Sequence, residues 1–559
     1  MSAVENIITD NLPIWSSSFQ SKSSSGRGTS SKRTLYGVKK LRELILDLAV
    51  RGLLVPQDPK DESASVLLGK IAAEKEQLIK EGKIKKQKEL QSVSIDKITF
   101  PVPLNWEPER FGNVYTMEYG NGLKQSARSN TGEFPVYGSN GIVGTHKDAC
   151  ISEPCIVIGR KGSAGALNLC RNRGCWVTDV AYSIVPPVSL NLDFVFIQLQ
   201  TLGLDKLGKG IKPGLNRNEA YSLELYFPPL AEQHRIVAKV DELMALCDTL
   251  EQQQEDSIQA HETLVEALLE ALTDAIDADA SQTAWQRISE HFDVLFTTEH
   301  SIDKLKETIL QLAVMGKLIP QDPKDEKISA QIDKAVQYKS EIAELKKIRA
   351  DKEKYLACAR FVEPTNWCWL CLGDFMHVLG GKRVPAGYKL LNDKTDHVYL
   401  RVTDMKNHSI TQDDLKYIEP KIYESIKRYV ISADDIYITI AGTIGYVGAV
   451  PDNLDGANLT ENAAKLVFGE MDKNFLIYVL SSIYVQRQFQ HAVNQMAQPK
   501  LSLVSIKGTS VALPPLAEQH RIVAKVDELM AISDKLKDSL QQAQQTQIHL
   551  TDAVVENAL

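Results

Sequence analysis

A repetition inside the chain constrains it more than any other feature. The 18 residues 228–245, PPLAEQHRIVAKVDELMA, recur unchanged at 514–531, 286 positions later. Residues 41–62 and 305–326 match at 16 of 22 positions, at an offset of 264. A weaker echo sets Pro103-Leu-Asn-Trp106 against Pro364-Thr-Asn-Trp367. Self-similarity on this scale marks duplicated structural units. The order is frame, insert, frame, insert, frame, and the inserts of about 125 and 150 residues share little sequence. A symmetric scaffold presenting two different readers explains that contrast better than a duplication without consequence.

The frames read as helices. After Pro228-Pro229, apolar residues fall at Ile236, Val240, Leu243, Cys247 and Leu250, a 4-3-4-3 spacing that makes one narrow stripe. The stripe lapses near Gln254, resumes at Leu264, Leu268 and Leu272, and ends near 274–281. Such a helix would be roughly 65–70 Å long at 1.5 Å per residue. The second copy runs through Ile522, Val526, Leu529, Leu536 and Leu540 towards Ile548. Shorter helices stop at Gly52 and Gly316, before Pro56 and Pro320, and charged helical runs follow at 65–91 and 328–355. One apolar stripe on a long charged helix needs a partner helix. An antiparallel coiled coil between the halves is expected, with assembly onto other subunits as the other use of the stripe.

The inserts carry short β-like runs broken by glycine, at 134–144, 155–159, 177–186, 397–402 and 435–440, and each ends in a helical stretch, 194–202 and 475–493. Seven serines between Ser16 and Ser25 make the first 34 residues a disordered or loosely attached arm in this reading.

Charge narrows the function. The net charge of −8 argues against a nucleic-acid partner until its distribution is seen. Residues 228–299 hold 3 Lys and Arg against 16 Asp and Glu, whereas 103–227 hold 12 against 11. The acidity sits in one central stretch, which phosphates would repel, leaving the inserts to make contact. No apolar run approaches the ~20 residues of a membrane span. Residues 1–20 lack a basic stretch followed by an apolar run, so no secretory signal is expected, and eight cysteines are too few for a disulfide-built fold. A cytoplasmic location follows as the expectation.

The doubled Pro-Pro-Leu-Ala-Glu-Gln segment leading into a long helix, each time after an unlike module, resembles the specificity subunit of type I restriction–modification enzymes over about 36–559. The resemblance implies an α+β fold in which two mixed α/β target recognition domains are separated by two long antiparallel coiled-coil helical regions, with a pseudo-two-fold repeat. The boundaries are a flexible arm at 1–35, a helical region at 36–99, the first recognition domain at 100–227, a central helical region at 228–360, the second recognition domain at 361–513 and a helical region at 514–559. It further implies that each domain reads half of a bipartite double-stranded DNA target, while the helices set the gap and dock two methyltransferase subunits, with restriction subunits joining them. Such a chain is not catalytic itself. S-adenosylmethionine, ATP and magnesium are expected on the partner subunits, and no cofactor or metal on this chain.

Arg160-Lys161 between Gly159 and Gly162 leads the first-module candidates, because glycines let the backbone approach while the cations meet phosphate or guanine, with a solvated surface turn as the alternative. Lys124, Tyr137, Ser139 and Asn140 belong to looser glycine-rich patterns, and Asn140 suits an adenine edge or a plain hairpin turn. Lys209, Lys212, Asn216 and Arg217 form a basic polar cluster before the frame, suited to phosphate contact or to a solvated loop. In the second module Lys382-Arg383 and Arg401 with Asp404 are taken as the equivalents, the last two also reading as a structural ion pair. Lys406, Thr443, Gln498, Lys500 and Ser502 complete the DNA-binding set. Leu230, Glu232, Gln233 and Arg235, with Leu516, Glu518, Gln519 and Arg521, are the partner-binding candidates; His234 and His520 suit helix starts better than catalysis.

Cys150-x4-Cys155 and Cys170-x4-Cys175 resemble a four-thiolate zinc spacing, although common pairs are tighter, and buried free cysteines remain the simpler reading. No Asp/Asn-Pro-Pro-aromatic methyltransferase segment occurs, and Gly210 stands where a phosphate loop needs Ser or Thr. The alternative to a DNA reader is a coiled-coil assembly scaffold whose modules bind other ligands.

Overall fold

The computed structural model describes all residues except 1–2, 23–31, 88–89, 92, 94–99, 209–213, 276, 350–354 and 495–498. Helix and sheet are mixed, and the chain divides into two compact units, residues 1–258 with 542–559, and residues 259–541.

In the first unit, helix Tyr36–Val50 buries Val38, Leu41, Leu44, Ile45, Leu48 and Ala49, one face of a 3.6-residue period. It stops where Gly52 takes φ +71°; a Cβ there would meet the Pro103 ring at 2.5 Å and the Trp106 ring at 3.1 Å. The Pro-x-Asn-Trp echo therefore packs on the end of the frame helix. Helix Leu230–Asp274 adds Ile236, Val240, Leu243 and Cys247 to the same core, and Val554 and Val555 of helix Leu516–Ala558 pack against it.

The N-terminal arm corrects an expectation. Helices Ala3–Asp10 and Leu12–Ser17 bury Ile8 and Trp15, and Ser18 Oγ lies 2.7 Å from Thr551 Oγ1. Gly37 lies so close that a Cβ would come within 2.3 Å of the Trp15 carbonyl oxygen. One buried indole anchors the segment despite its serines; residues 23–31 lie outside the described residues.

The second unit repeats this plan. Helix Glu299–Val314 starts at a capping box between Thr298 and Ser301 and ends at Gly316, φ +69°, against Pro364 and Trp367. Its core takes Ile522, Val526, Val265, Leu269 and Leu272. The stripe expected at Leu264 is thus shifted by one, with Leu264 52% exposed. Eight turns from Ile236 reach about 264 at 3.5 residues per turn and about 265 at 3.6, so the helix keeps its straight period here. The charged runs are also shorter than expected. Helices Ala64–Lys80 and Ile328–Leu345 end before Gly82 and Lys347, both in left-handed conformation.

Each module enters and leaves through a two-stranded antiparallel ribbon, Glu107–Arg110 with Glu224–Phe227 and Cys368–Cys371 with Ser510–Leu513. Inside each stands a four-stranded antiparallel sheet. In the first module the order is Glu118–Tyr119, Ala181–Ile184, Cys155–Gly159, Leu167–Cys170. In the second it is His377–Gly380, Ala463–Val467, Ile436–Thr439, Val447–Ala449. A second sheet contains one parallel pair in each module, Phe134–Tyr137 with Trp176–Val177 and Val398–Leu400 with Ala457–Leu459. The expected single helix at 475–493 is broken at Ser482, whose backbone is extended, into Lys473–Ser481 and Ile483–Asn494. Among the described residues, no helix is long and apolar enough to cross a membrane.

Candidate nucleic-acid interface

Main-chain hydrogen bonds build the same set of loops in both modules from unlike residues. After strand Cys155–Gly159 the chain turns through Gly162 and Gly165, φ +83° and +79°; after Ile436–Thr439 it turns through Gly442 and Gly445, φ +86° and +83°. Gly165 N–H donates to Gly159 O at 2.8 Å and Gly445 N–H to Thr439 O at 2.8 Å. Two successive amides, Arg160 and Lys161, share Val180 O, as Ile440 and Ala441 share Asn462 O. Leu215 N–H donates to Arg160 O and Leu501 N–H to Ile440 O. Asn216 and Ser502 then cap the short helices Arg217–Tyr221 and Leu503–Lys507. At the next loop, a Cβ on Gly120 or Gly381 would stand 2.1 Å from the carbonyl oxygen of Thr178 or Thr460. Only glycine fits that approach.

These bonds place the sequence candidates. In the first module the Arg160 guanidinium donates to Asp179 O at 3.1 and 2.7 Å and lies 5.1 Å from the centre of the Tyr119 ring. Arg217 donates to Met117 O and lies 5.0 Å from the same ring. Lys161 is exposed and bridges Gly214 through its main chain. The Ser139 turn packs on this loop, since a Cβ on Gly159 would meet Ser139 O at 2.4 Å. Asn140 is exposed at the tip of the turn closed by Gly138 N–H on Gly141 O. Arg160, Lys161, Ser139, Asn216 and Arg217 are thus brought together. Lys124 is exposed before the short turn Gln125–Ala127 and takes no part in the hydrogen bonds that join this group. Tyr119, 52% exposed between two guanidiniums, is the residue sequence reasoning missed. Its signal was an aromatic side chain directly before the glycine-rich Gly120-Asn121-Gly122.

In the second module Lys382 and Arg383 are exposed, with the Lys382 ammonium 5.9 Å from the Tyr429 ring and Arg383 Nε donating to Glu461 at 2.6 Å. Their place corrects the expected equivalence. Lys382 N–H bonds Leu459 O as Asn121 N–H bonds Val177 O, so Lys382-Arg383 stands where the first module has Asn121-Gly122. Ile440-Ala441 takes the place of Arg160-Lys161. Thr443 is exposed on its glycine loop and Lys500 on the loop before Ser502. Lys406 is exposed on the hairpin Met405–Lys406/Ser409–Ile410, which packs on strand Val447–Ala449 through Ala449 N–H on His408 O.

Burial and pairing remove other candidates. Tyr137 is 6% exposed inside a small core, so its ring cannot meet a base. Asp404 is buried and takes Arg401 Nη2 at 2.7 Å, Arg401 Nε at 3.2 Å and the Arg401 amide at 2.8 Å, while Arg401 also donates to Asp414. The Arg401–Asp404 pair closes a turn, which is the structural alternative. Asn216 and Ser502 spend their side-chain oxygens on helix caps. Lys209, Lys212 and Gln498 lie outside the described residues.

The partner-binding candidates are corrected in the same way. Glu232 and Gln233 are buried: Glu232 accepts from Gln57 Nε2 at 2.7 Å, and Gln233 donates to Pro228 O and accepts from Asn191 N–H, both at 3.0 Å. Arg235 grips Asp61 at 2.6 and 3.3 Å. The second unit repeats these bonds and adds one from Trp367. Glu518 accepts from Gln321 and from Trp367 Nε1, each at 3.0 Å; Gln519 joins Pro514 O to the Asp472 amide, each at 2.9 Å; Arg521 grips Asp325 at 2.6 and 3.0 Å. Each unit thus has its own clamp, tying its Pro-Gln-Asp-Pro-Lys-Asp frame and its module's capping residue to the long helix. Burial raises the Glu232 and Glu518 carboxyl pKa values, and one oxygen of each has no hydrogen-bond partner. Of the eight, Leu230 stays 39% exposed, and Leu516 is half-buried. His234 and His520 sit against Asn191 and Asp472, the caps of the module helices.

Comparison with known proteins identifies the family. Residues 103–260 and 364–545, the two modules with the start of each long helix, match the type I restriction modification DNA specificity domain. The chain is 34% identical over 603 residues to the type I restriction enzyme EcoAI specificity subunit of Escherichia coli, and 34% identical over 607 residues to the EcoEI specificity subunit of the same species, covering all of both chains in each case. A solved structure bearing on complex assembly and conformational transition of the type I R-M system is 16% identical, covers 82% of this chain and 98% of its own, and has a TM-score of 0.43. The chain belongs to the specificity subunits of type I restriction–modification enzymes, the non-catalytic DNA-recognition components of those systems.

Proposed function

We propose that each module reads one half of a bipartite DNA target through the loop set built around Gly162/Gly165 and Gly442/Gly445. One observation carries this reading: an equivalent main-chain frame displays Arg160-Lys161 in one module and Ile440-Ala441 in the other, and Asn121-Gly122 in one against Lys382-Arg383 in the other. A frame that stays fixed while its side chains change is what two different half-sites require. Arg160, Lys161, Arg217, Lys382, Arg383 and Lys500 supply phosphate and guanine contacts, and Tyr119 offers a face for stacking. The long helices set the gap and dock two methyltransferase subunits, with restriction subunits joining them, so that adenine methylation and restriction follow the sequence read here. Because the buried clamp consumes Glu232, Gln233 and Arg235 and their twins, docking in this reading uses the exposed remainder of the helices. S-adenosylmethionine, ATP and magnesium belong to the partner subunits.

Mapping methylated adenines in cells that express this chain with its methyltransferase subunit tests the proposal. A bipartite motif with a fixed gap, lost when this chain is omitted, is the expected result. No motif from a stable complex with an active methyltransferase would overturn it.

A further inference from the structure

The first module holds a group of side chains that DNA reading does not use. Cys155, Cys170 and Cys175 are buried, and their three sulfurs all lie within 4.8 Å of one another, with Cys155 and Cys175 Sγ atoms 3.6 Å apart. Two independent pieces of backbone bring them there. Cys155 and Cys170 face each other across paired strands, and Cys175 arrives on a separate segment that bridges Ile151. Four thiolates around zinc, with zinc–sulfur bonds of about 2.3 Å, stand about 3.8 Å apart by tetrahedral geometry. The three sulfurs already approach that spacing before any metal is added.

The surroundings give such an ion work to do. Among the described residues, the core around the thiols consists of Tyr137, Val157, Val177 and Ala181 besides the three cysteines, with Ile151 packed on it. So small a core rarely stabilises a lobe without a staple. The second module has no need of one. By strand register, Asp435, Val450 and Ala457 stand where the first module has the three cysteines, and the adjoining core is larger and includes Leu400, Met405, Ile410, Leu454 and Leu459.

We propose that Cys155, Cys170 and Cys175 bind a zinc ion that staples the Cys175 segment, which leads into strand Trp176–Val177, to the four-stranded sheet of the first module. Binding exchanges the thiol protons for metal–sulfur bonds and releases those protons to water. Cys150, half-buried and hydrogen-bonded through its main chain to Cys175 O at 3.0 Å, or a solvent molecule, fills the fourth position. The zinc site stands independently of which bases the module reads.

The test uses the full chain purified without chelators. Elemental analysis should find about one zinc per chain, and zinc-edge X-ray absorption should count three or four sulfurs around it. Cys155→Ser, Cys170→Ser and Cys175→Ser should each lose the zinc, while Cys368→Ser and Cys371→Ser in the second module retain it. X-ray absorption on the unaltered chain keeps the test decisive if the serine variants fold poorly. A metal-free chain that takes up no zinc, fewer than three sulfurs on the ion, or a disulfide within the trio would overturn the site.

Discussion

Replacing Arg235 by alanine strands a buried charge. Asp61, whose side chain is 8% exposed, receives both guanidinium nitrogens of Arg235, at 2.6 and 3.3 Å. Two unit charges 4 Å apart attract by about 4 kcal/mol at an effective dielectric constant near 20. Desolvation of the carboxylate offsets much of that, and the guanidinium, 35% exposed, is screened further. Arg235→Ala should therefore cost about 2–3 kcal/mol, most of it the penalty of an uncompensated buried carboxylate. Asp61→Ala should cost only about 1 kcal/mol, because the guanidinium left behind can turn to water. A double-mutant cycle should return a coupling of about 1–2 kcal/mol. Hydrogen exchange across residues 52–62 reads local opening of the clamp and avoids assuming a single unfolding transition in a two-unit chain. The twin pair, Arg521 on Asp325, is the internal control and should give the same pattern across residues 316–326. The two copies share no partner, so their costs should add. A coupling below about 0.5 kcal/mol in both copies, the range of an exposed pair, would refute the clamp.

Other predictions follow from the same geometry. The Glu518 carboxyl is raised above its ordinary value of 4.5 by burial, so its ionisation costs stability as pH climbs from 4.5 through the raised value. Glu518→Gln should therefore gain on the unaltered chain between pH 4.5 and 7.5 in urea midpoint, and a constant or shrinking gap counts against the assignment. Trp15→Ala, which empties the anchor of the N-terminal segment, should cost about 3–5 kcal/mol and expose residues 3–22 to protease; an unchanged digestion pattern would return that segment to the status of a loose arm. In the proposed reading, Arg160→Ala and Arg217→Ala each weaken DNA binding by the assembled methyltransferase and reduce the slope of log affinity against log salt by about 0.9 for each phosphate no longer neutralised. Arg401→Ala should lower stability and leave that slope unchanged.

The scaffold was legible because its side chains meet one another. Gln57, Asp61, Glu232, Gln233 and Arg235 recur as Gln321, Asp325, Glu518, Gln519 and Arg521 because each is a partner in the same part-buried hydrogen bonds. What sequence could not reveal was the direction of those side chains. An invariant polar patch at a helix start reads equally as a docking surface or as an internal clamp until burial is known. The stripe slipped by one residue because a 3.5 period and a 3.6 period part company over eight turns. Over residues 3–22 the expectation of a loose arm fails because the Trp15 indole is fully enclosed.

The modules hid their likeness for the opposite reason. Their shared frame is made of main-chain groups, glycines at positive φ, and two threonines, Thr178 and Thr460, whose carbonyl oxygens crowd Gly120 and Gly381. A frame of that kind asks almost nothing of the side chains it displays, so Arg160 and Lys161 in one module stand where the other has Ile440 and Ala441, with the same hydrogen bonds beneath them. Even Gly159 is replaced, by Thr439, whose hydroxyl bonds Thr443 O where the first module packs the Ser139 turn. Residue identity is thus held where side chains answer to each other and free where they face outward. That division separates stability from specificity within a single chain, and it lets new side chains occupy the loops without altering the clamp that holds them.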